Sequence, residues 1–85
     1  MYEYLIGEYI KNMTVNDIIK YGLKENIKIS ENDAQILLEY GKKYYKTFLS
    51  GDPTNLIKEL KKKLEPNTYK EAYRLYIINK NKYLK

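Results

Sequence analysis

Ser30-Glu31-Asn32-Asp33-Ala34-Gln35-Ile36-Leu37-Leu38-Glu39-Tyr40-Gly41-Lys42-Lys43-Tyr44-Tyr45-Lys46-Thr47-Phe48 decides the fold class. Ser30 is a helix N-cap by type, because its hydroxyl can accept a backbone N–H of the first turn. Asp33, at the third helical position, suits the positive end of the helix dipole. Ala34, Leu37, Leu38, Gly41, Tyr44, Tyr45 and Phe48 then recur at steps of one, three and four. That period draws one face of an α-helix. Gly41 costs about 1 kcal/mol against alanine inside a helix. On the apolar stripe it means either a close helix crossing or a tolerated glycine without a role.

The segments on the N-terminal side read the same way. Leu5, Ile6, Tyr9, Ile10 and Met13 make one face of a first helix over residues 2–12. Thr14 is the next N-cap, with Asp17 as a short capping-box partner. The second helix should bury Ile18, Ile19, Gly22 and Leu23 and end near Glu25-Asn26, where Asn tolerates the left-handed conformation. Ile27-Lys28-Ile29 is too short to pair as a strand, so it reads as an extended tie that drops Ile27 and Ile29 into the core.

Toward the C-terminus, Ser50-Gly51-Asp52-Pro53 is the strongest break. Asp52 or Thr54 caps a fourth helix, and Pro53 fits its first turn. Leu56, Ile57, Leu60 and Leu64 face inward there, and Lys58, Lys61 and Lys62 face outward. Glu65-Pro66-Asn67-Thr68 is the second break. Asn67 or Thr68 is expected to cap a fifth helix, with Glu71 as partner and Tyr69, Ala72, Tyr73, Tyr76 and Ile77 on its inner face. The tail from about residue 80 is expected to fray. The expectation is one all-α domain over residues 1–85, a compact bundle of four to five short helices. Its core would be Leu5, Ile18, Ile19, Leu37, Leu38, Leu56, Leu60, Leu64, Tyr73 and Ile77.

Composition narrows the chemistry. With 85 residues the core is thin. The chain has no cysteine and no histidine, so it lacks disulfides, thiolate metal sites and the usual imidazole ligand or acid–base group. Neither a metal site nor a cofactor is expected. Met1-Tyr2-Glu3-Tyr4-Leu5-Ile6 does not resemble a secretory signal, and no apolar run approaches the roughly 18 residues of a membrane span. The expected setting is cytoplasmic.

The net charge of +5 points toward anionic partners. Lysine, tyrosine, isoleucine and asparagine are also the residues that an AT-rich genome enriches, which accounts for much of their abundance. The charge is uneven as well: residues 53–85 hold nine bases and three acids. An electrostatic partner should therefore meet the C-terminal third.

Thr14-x-x-Asp17-Ile18-Ile19-Lys20-Tyr21, Ile27-x-Ile29-Ser30 and Ala34 resemble the front half of a family of small bacterial proteins from low-GC Gram-positive organisms, domain of unknown function 2624. Leu56-Ile57-Lys58-Glu59-Leu60, Pro66-x-Thr68 and Leu75 resemble its back half. The chain departs from the family pattern over Lys43–Ser50. An Arg/Lys-Gly-Lys turn is the expectation there, and this chain has Tyr44, Tyr45 and Phe48. The resemblance implies an all-helical fold and a cytoplasmic setting. It carries over no activity and no catalytic residue.

Three function classes remain to be weighed. Glu31 and Asp33 are the only acidic cluster, and capping explains both; the four glycines are isolated, so no phosphate loop is present. No enzyme is expected. The second and third helices superficially suggest a helix-turn-helix, but Glu31 and Asp33 at the front of the third would repel a phosphate backbone. Lys58, Lys61, Lys62 and Lys63 on the fourth helix, extended by Lys42, Lys43 and Lys46, are the better candidates for weak, sequence-independent nucleic-acid or acidic-partner contact. The bland alternative is a solvated lysine face. The eleven tyrosines cannot all enter one core. Tyr40, Tyr44 and Tyr45 are candidates for an interface with a protein partner or a second copy, against simple packing at the core boundary. The reading is a non-catalytic accessory or protein-interaction module, with nucleic-acid binding as the alternative.

Overall fold

Two capped helix starts organise the first half of the chain. The Thr14 N–H donates to Asp17 Oδ2 at 2.9 Å, and the Asp17 N–H returns to Thr14 Oγ1 at 3.2 Å, a complete capping box. Ser30 Oγ accepts the Asp33 N–H at 3.1 Å. Between them, Asn26 takes the left-handed conformation (φ 63°). The Ile27 N–H then reaches the Gly22 carbonyl at 2.7 Å and the Asn26 N–H the Leu23 carbonyl at 3.1 Å. These are the two bonds of a Schellman stop.

The structure, a computed structural model, describes the backbone of residues 2–83 and the side chains of residues 5–81. Five helices result: α1 (Tyr2–Lys11), α2 (Val15–Lys24), α3 (Glu31–Ser50), α4 (Thr54–Lys63) and α5 (Pro66–Tyr83). The fold is all-α, with extents of 32 × 25 × 22 Å. The side chains of Tyr2, Tyr4 and Tyr83, and Leu84 and Lys85 of the expected frayed tail, lie outside the described residues.

α1 and α2 pack along α3, while α4 packs on α5. Side chains tie these two groups together across a seam. Asp33 Oδ2 accepts the Glu65 N–H at 3.4 Å, and the Tyr40 hydroxyl donates to Glu59 Oε1 at 2.7 Å. The Tyr76 hydroxyl donates to the Phe48 carbonyl, one of the last-turn acceptors of α3 with no partner inside the helix. The Phe48 and Tyr76 rings meet edge to face at 5.6 Å.

Several expectations need correction. α5 begins at Pro66, with the Tyr69 N–H on the Glu65 carbonyl, so Asn67 and Thr68 do not cap it. Proline fits the first helical position because its missing N–H would have no helical partner there. Thr68 is buried, and Glu71 pairs with Arg74 at 2.7 Å. α4 begins at Thr54, so Pro53 stands at the N-cap position, not in the first turn, and makes no side-chain cap bond; neither Asp52 nor Thr54 is the cap residue. Asp52 Oδ1 instead accepts both the Thr54 hydroxyl (2.6 Å) and the Thr54 N–H (3.1 Å), and these bonds hold its carboxyl below the usual carboxylate range. Over the stretch where the family turn is the expectation, α3 continues, with a kink at Tyr44 (φ −124°, ψ 18°).

The core also differs in phase. Leu60 and Leu64 are buried and Ile18, Ile19, Leu37, Leu38 and Leu56 half-buried, but Leu5 is 58% exposed and Tyr9 70%. α1 meets α3 at Gly7, where an added Cβ would stand 2.5 Å from the Tyr45 hydroxyl. That approach turns the Ile6–Gly7–Ile10 side inward and leaves Leu5 and Tyr9, about 100° away around the helix from Ile6 and Ile10, outside. Leu23 (61% exposed) loses its place the same way, because Gly22 centres the buried face of α2. Tyr73 (42%), which lines the open space of the seam, and Ile77 (36%) are exposed as well.

Candidate functional site

The seam leaves a cleft of about 150 Å³, lined by side chains from α3, α4 and α5. Leu37, Gly41 and Phe48 of α3 line it, with Ile57 and Leu60 of α4 and Leu64 just past the end of α4. Tyr40, Tyr69, Tyr73 and Tyr76 supply the aromatic part of the lining. Gly41 makes no close crossing: nothing stands within 4 Å of where its Cβ would be. Its effect is to keep the cleft open. Gly41→Ala should therefore raise stability by roughly 0.5–1 kcal/mol, from helix propensity with no clash. Chemical denaturation at unchanged m-value measures it.

On α5 the Tyr69 and Tyr73 rings stack at 6.0 Å and 13°. Ile77 follows one turn on, so Tyr69, Tyr73 and Ile77 form a continuous apolar stripe. Tyr73 and Ile77 are the exposed members of this stripe, and Tyr69 and Tyr73 line the cleft.

The Tyr40 hydroxyl is pushed up to about 12, first by its hydrogen bond to Glu59 and then by desolvation. Its folded value lies above the ordinary 10, so the tie is fully present below about pH 10 and is lost as pH rises toward 12. Glu59→Gln should return the hydroxyl toward its ordinary value, read from the Cζ shift of labelled tyrosine across a pH titration.

The lysines of α4 do not all share one face of the helix. Lys58, Lys61 and Lys62 are exposed and spaced i, i+3, i+4 on the outward face. Lys63 is turned about 100° further round the helix than Lys62. Its Nζ lies 5.7 Å from the Tyr40 ring centroid. Lys80 Nζ lies 5.5 Å from the Tyr76 ring centroid and 3.2 Å from its hydroxyl.

The candidate tyrosines separate too. Tyr40 borders the cleft, 5.6 Å from Tyr44, while Tyr44 sits at the kink under Lys43 and Tyr45 packs on Gly7. Sequence reasoning assigned Tyr69, Tyr73 and Tyr76 to a core face and missed that they line an opening. Their i, i+4, i+7 spacing on the last helix was the available signal.

Among the described residues, no three His, Cys, Asp or Glu side chains gather as a metal-ligand group. No described helix is long and apolar enough to cross a membrane. No curated protein and no solved structure matches the chain. A family model does match, over residues 1–78 of the 85, and its profile covers every capped helix start and the whole cleft lining described above: the chain belongs to the family described as protein of unknown function (DUF2624).

Proposed function

We propose that this protein is a non-catalytic docking module that binds a partner protein through the seam between α3 and α4–α5. The observation that carries this reading is the continuity of the apolar cleft with the Tyr69–Tyr73–Ile77 stripe. Half-exposed tyrosines of this kind offer large contact area at low cost in side-chain entropy. Photo-crosslinking from positions 73 and 77, against position 62 on the outward face of α4, tests this reading. Crosslinks to one discrete partner from 73 and 77 alone support the seam, and equal labelling at 62 rejects it.

The second reading, sequence-independent nucleic-acid binding, is favoured by Lys58, Lys61 and Lys62 sharing one exposed face. Glu59 and Glu65 close by, and Lys63 turned onto Tyr40, weigh against it. Anisotropy of labelled DNA and RNA at about 50 and 200 mM salt decides, because phosphate contacts weaken steeply over that range. The expected result is flat traces. Salt-sensitive binding abolished by glutamine at Lys58, Lys61 and Lys62 would put this reading first.

A further inference from the structure

We propose that the cleft is the socket for a single apolar anchor, of leucine, methionine or phenylalanine size, carried on a partner's amphipathic helix with acidic flanks. This rests on the docking reading above and adds the chemistry of the occupant. The size of the cleft comes first. About 150 Å³ is the scale of an apolar cavity that holds one benzene-sized group. Sites for free small molecules begin at about 300 Å³ and carry polar groups that orient the ligand.

Such polar groups are few here. Leu37, Phe48, Ile57, Leu60 and Leu64 offer none, and the Tyr40 and Tyr76 hydroxyls already donate to Glu59 and to the Phe48 carbonyl, which leaves the hydroxyls of Tyr69 and Tyr73. An apolar group would enter with little to desolvate, whereas a polar metabolite would find few partners. The space over Gly41 is where the anchor would lodge.

The surroundings determine what carries the anchor. Tyr69, Tyr73 and Ile77 extend the apolar surface over two helical turns, about 12 Å, which matches the apolar face of a partner helix laid alongside. Lys63 lies over Tyr40 and Lys80 over Tyr76. Tyr40 and Tyr76 both line the cleft, so each of these cations stands beside its aromatic lining. A second copy would bring this positive surface onto itself. A helix with glutamates or aspartates flanking its anchor would complement it.

The probe is a synthetic, fluorescently labelled, 18-residue Leu/Glu amphipathic helix with one phenylalanine at the centre of its apolar face. Its controls carry alanine in place of that phenylalanine, or lysines in place of the glutamates. Binding to the full chain is followed by anisotropy, with Gly41→Leu filling the socket and Ile77→Glu breaking the stripe. The proposal expects saturable binding, weakened at least tenfold by the alanine control or by Gly41→Leu, and absent for the lysine control. Gly41→Leu should melt no lower than the wild type. The alanine control tests the anchor independently of any protein variant.

Binding that ignores Gly41→Leu and the alanine control but fails with Ile77→Glu would overturn the socket and leave the docking reading in place. Equal binding of the glutamate and lysine helices would overturn the acidic partner. Failure of every helix to bind would overturn the anchor proposal, with crosslinking from positions 73 and 77 still deciding the docking reading. Self-association in sedimentation that Ile77→Glu removes would make a second copy the occupant and overturn the acidic helix.

Discussion

Gly22→Ala should destabilise the protein by about 2 kcal/mol and lower its melting temperature by roughly 10 °C, although alanine is the better helix former. A Cβ at position 22 would stand 2.6 Å from Ile29 Cδ1, 2.9 Å from Ile29 Cγ1 and 3.0 Å from the Ile27 carbonyl oxygen. The carbonyl belongs to the turn closed by the Ile27 N–H on Gly22, so the backbone has little room to retreat. Ile29 must move instead. The helix-propensity gain of up to about 1 kcal/mol offsets only part of that overpacking. The effect is large for a domain whose whole stability is on the order of 4–13 kcal/mol.

A double-mutant cycle locates the cause. Ile29→Val deletes Cδ1, the atom closest to the added methyl group, and alone should cost about 1 kcal/mol. In the Gly22→Ala background it should cost much less, with a coupling on the order of 1 kcal/mol. Strict additivity would show that Gly22 acts through the helix backbone alone and not through contact with Ile29.

Such local features were legible in the sequence for a physical reason. Thr14, Asp17, Ser30 and Asn26 act on backbone groups within four residues of themselves, so residue type and spacing suffice to assign them. The phase of a buried face depends on where a neighbouring helix comes closest. Gly7 under Tyr45 decides that for α1, and no pattern within α1 alone shows that Tyr45 is the residue above it. The cleft was less legible still. It arises because three side-chain ties, from Asp33, Tyr40 and Tyr76, hold the two helix groups together without closing the space between them. Apolar periodicity on α5 marks a face that avoids water. It does not distinguish a filled interior from a surface awaiting a partner.

Asp33→Ala should cost about 3 kcal/mol, against about 1 kcal/mol for Asp17→Ala, although both acids stand three residues after a hydroxyl cap. The difference lies in where each carboxyl goes. Asp17 folds back onto the exposed Thr14 N–H, so its loss removes one cap bond that water can replace. Asp33 is 1% exposed and crosses the seam to the Glu65 N–H, where α4 gives way to α5. Alanine there would strand that N–H in partly buried surroundings, leave a void where the carboxyl is buried, and remove an acid from the α3 N-terminus. Asp33→Asn keeps an acceptor of the same shape, so it should recover more than half of the loss. Comparable costs for Asp17→Ala and Asp33→Ala would mean that both acids serve only their own helices. The seam, and the cleft that depends on it, would then be held by Tyr40 and Tyr76 alone.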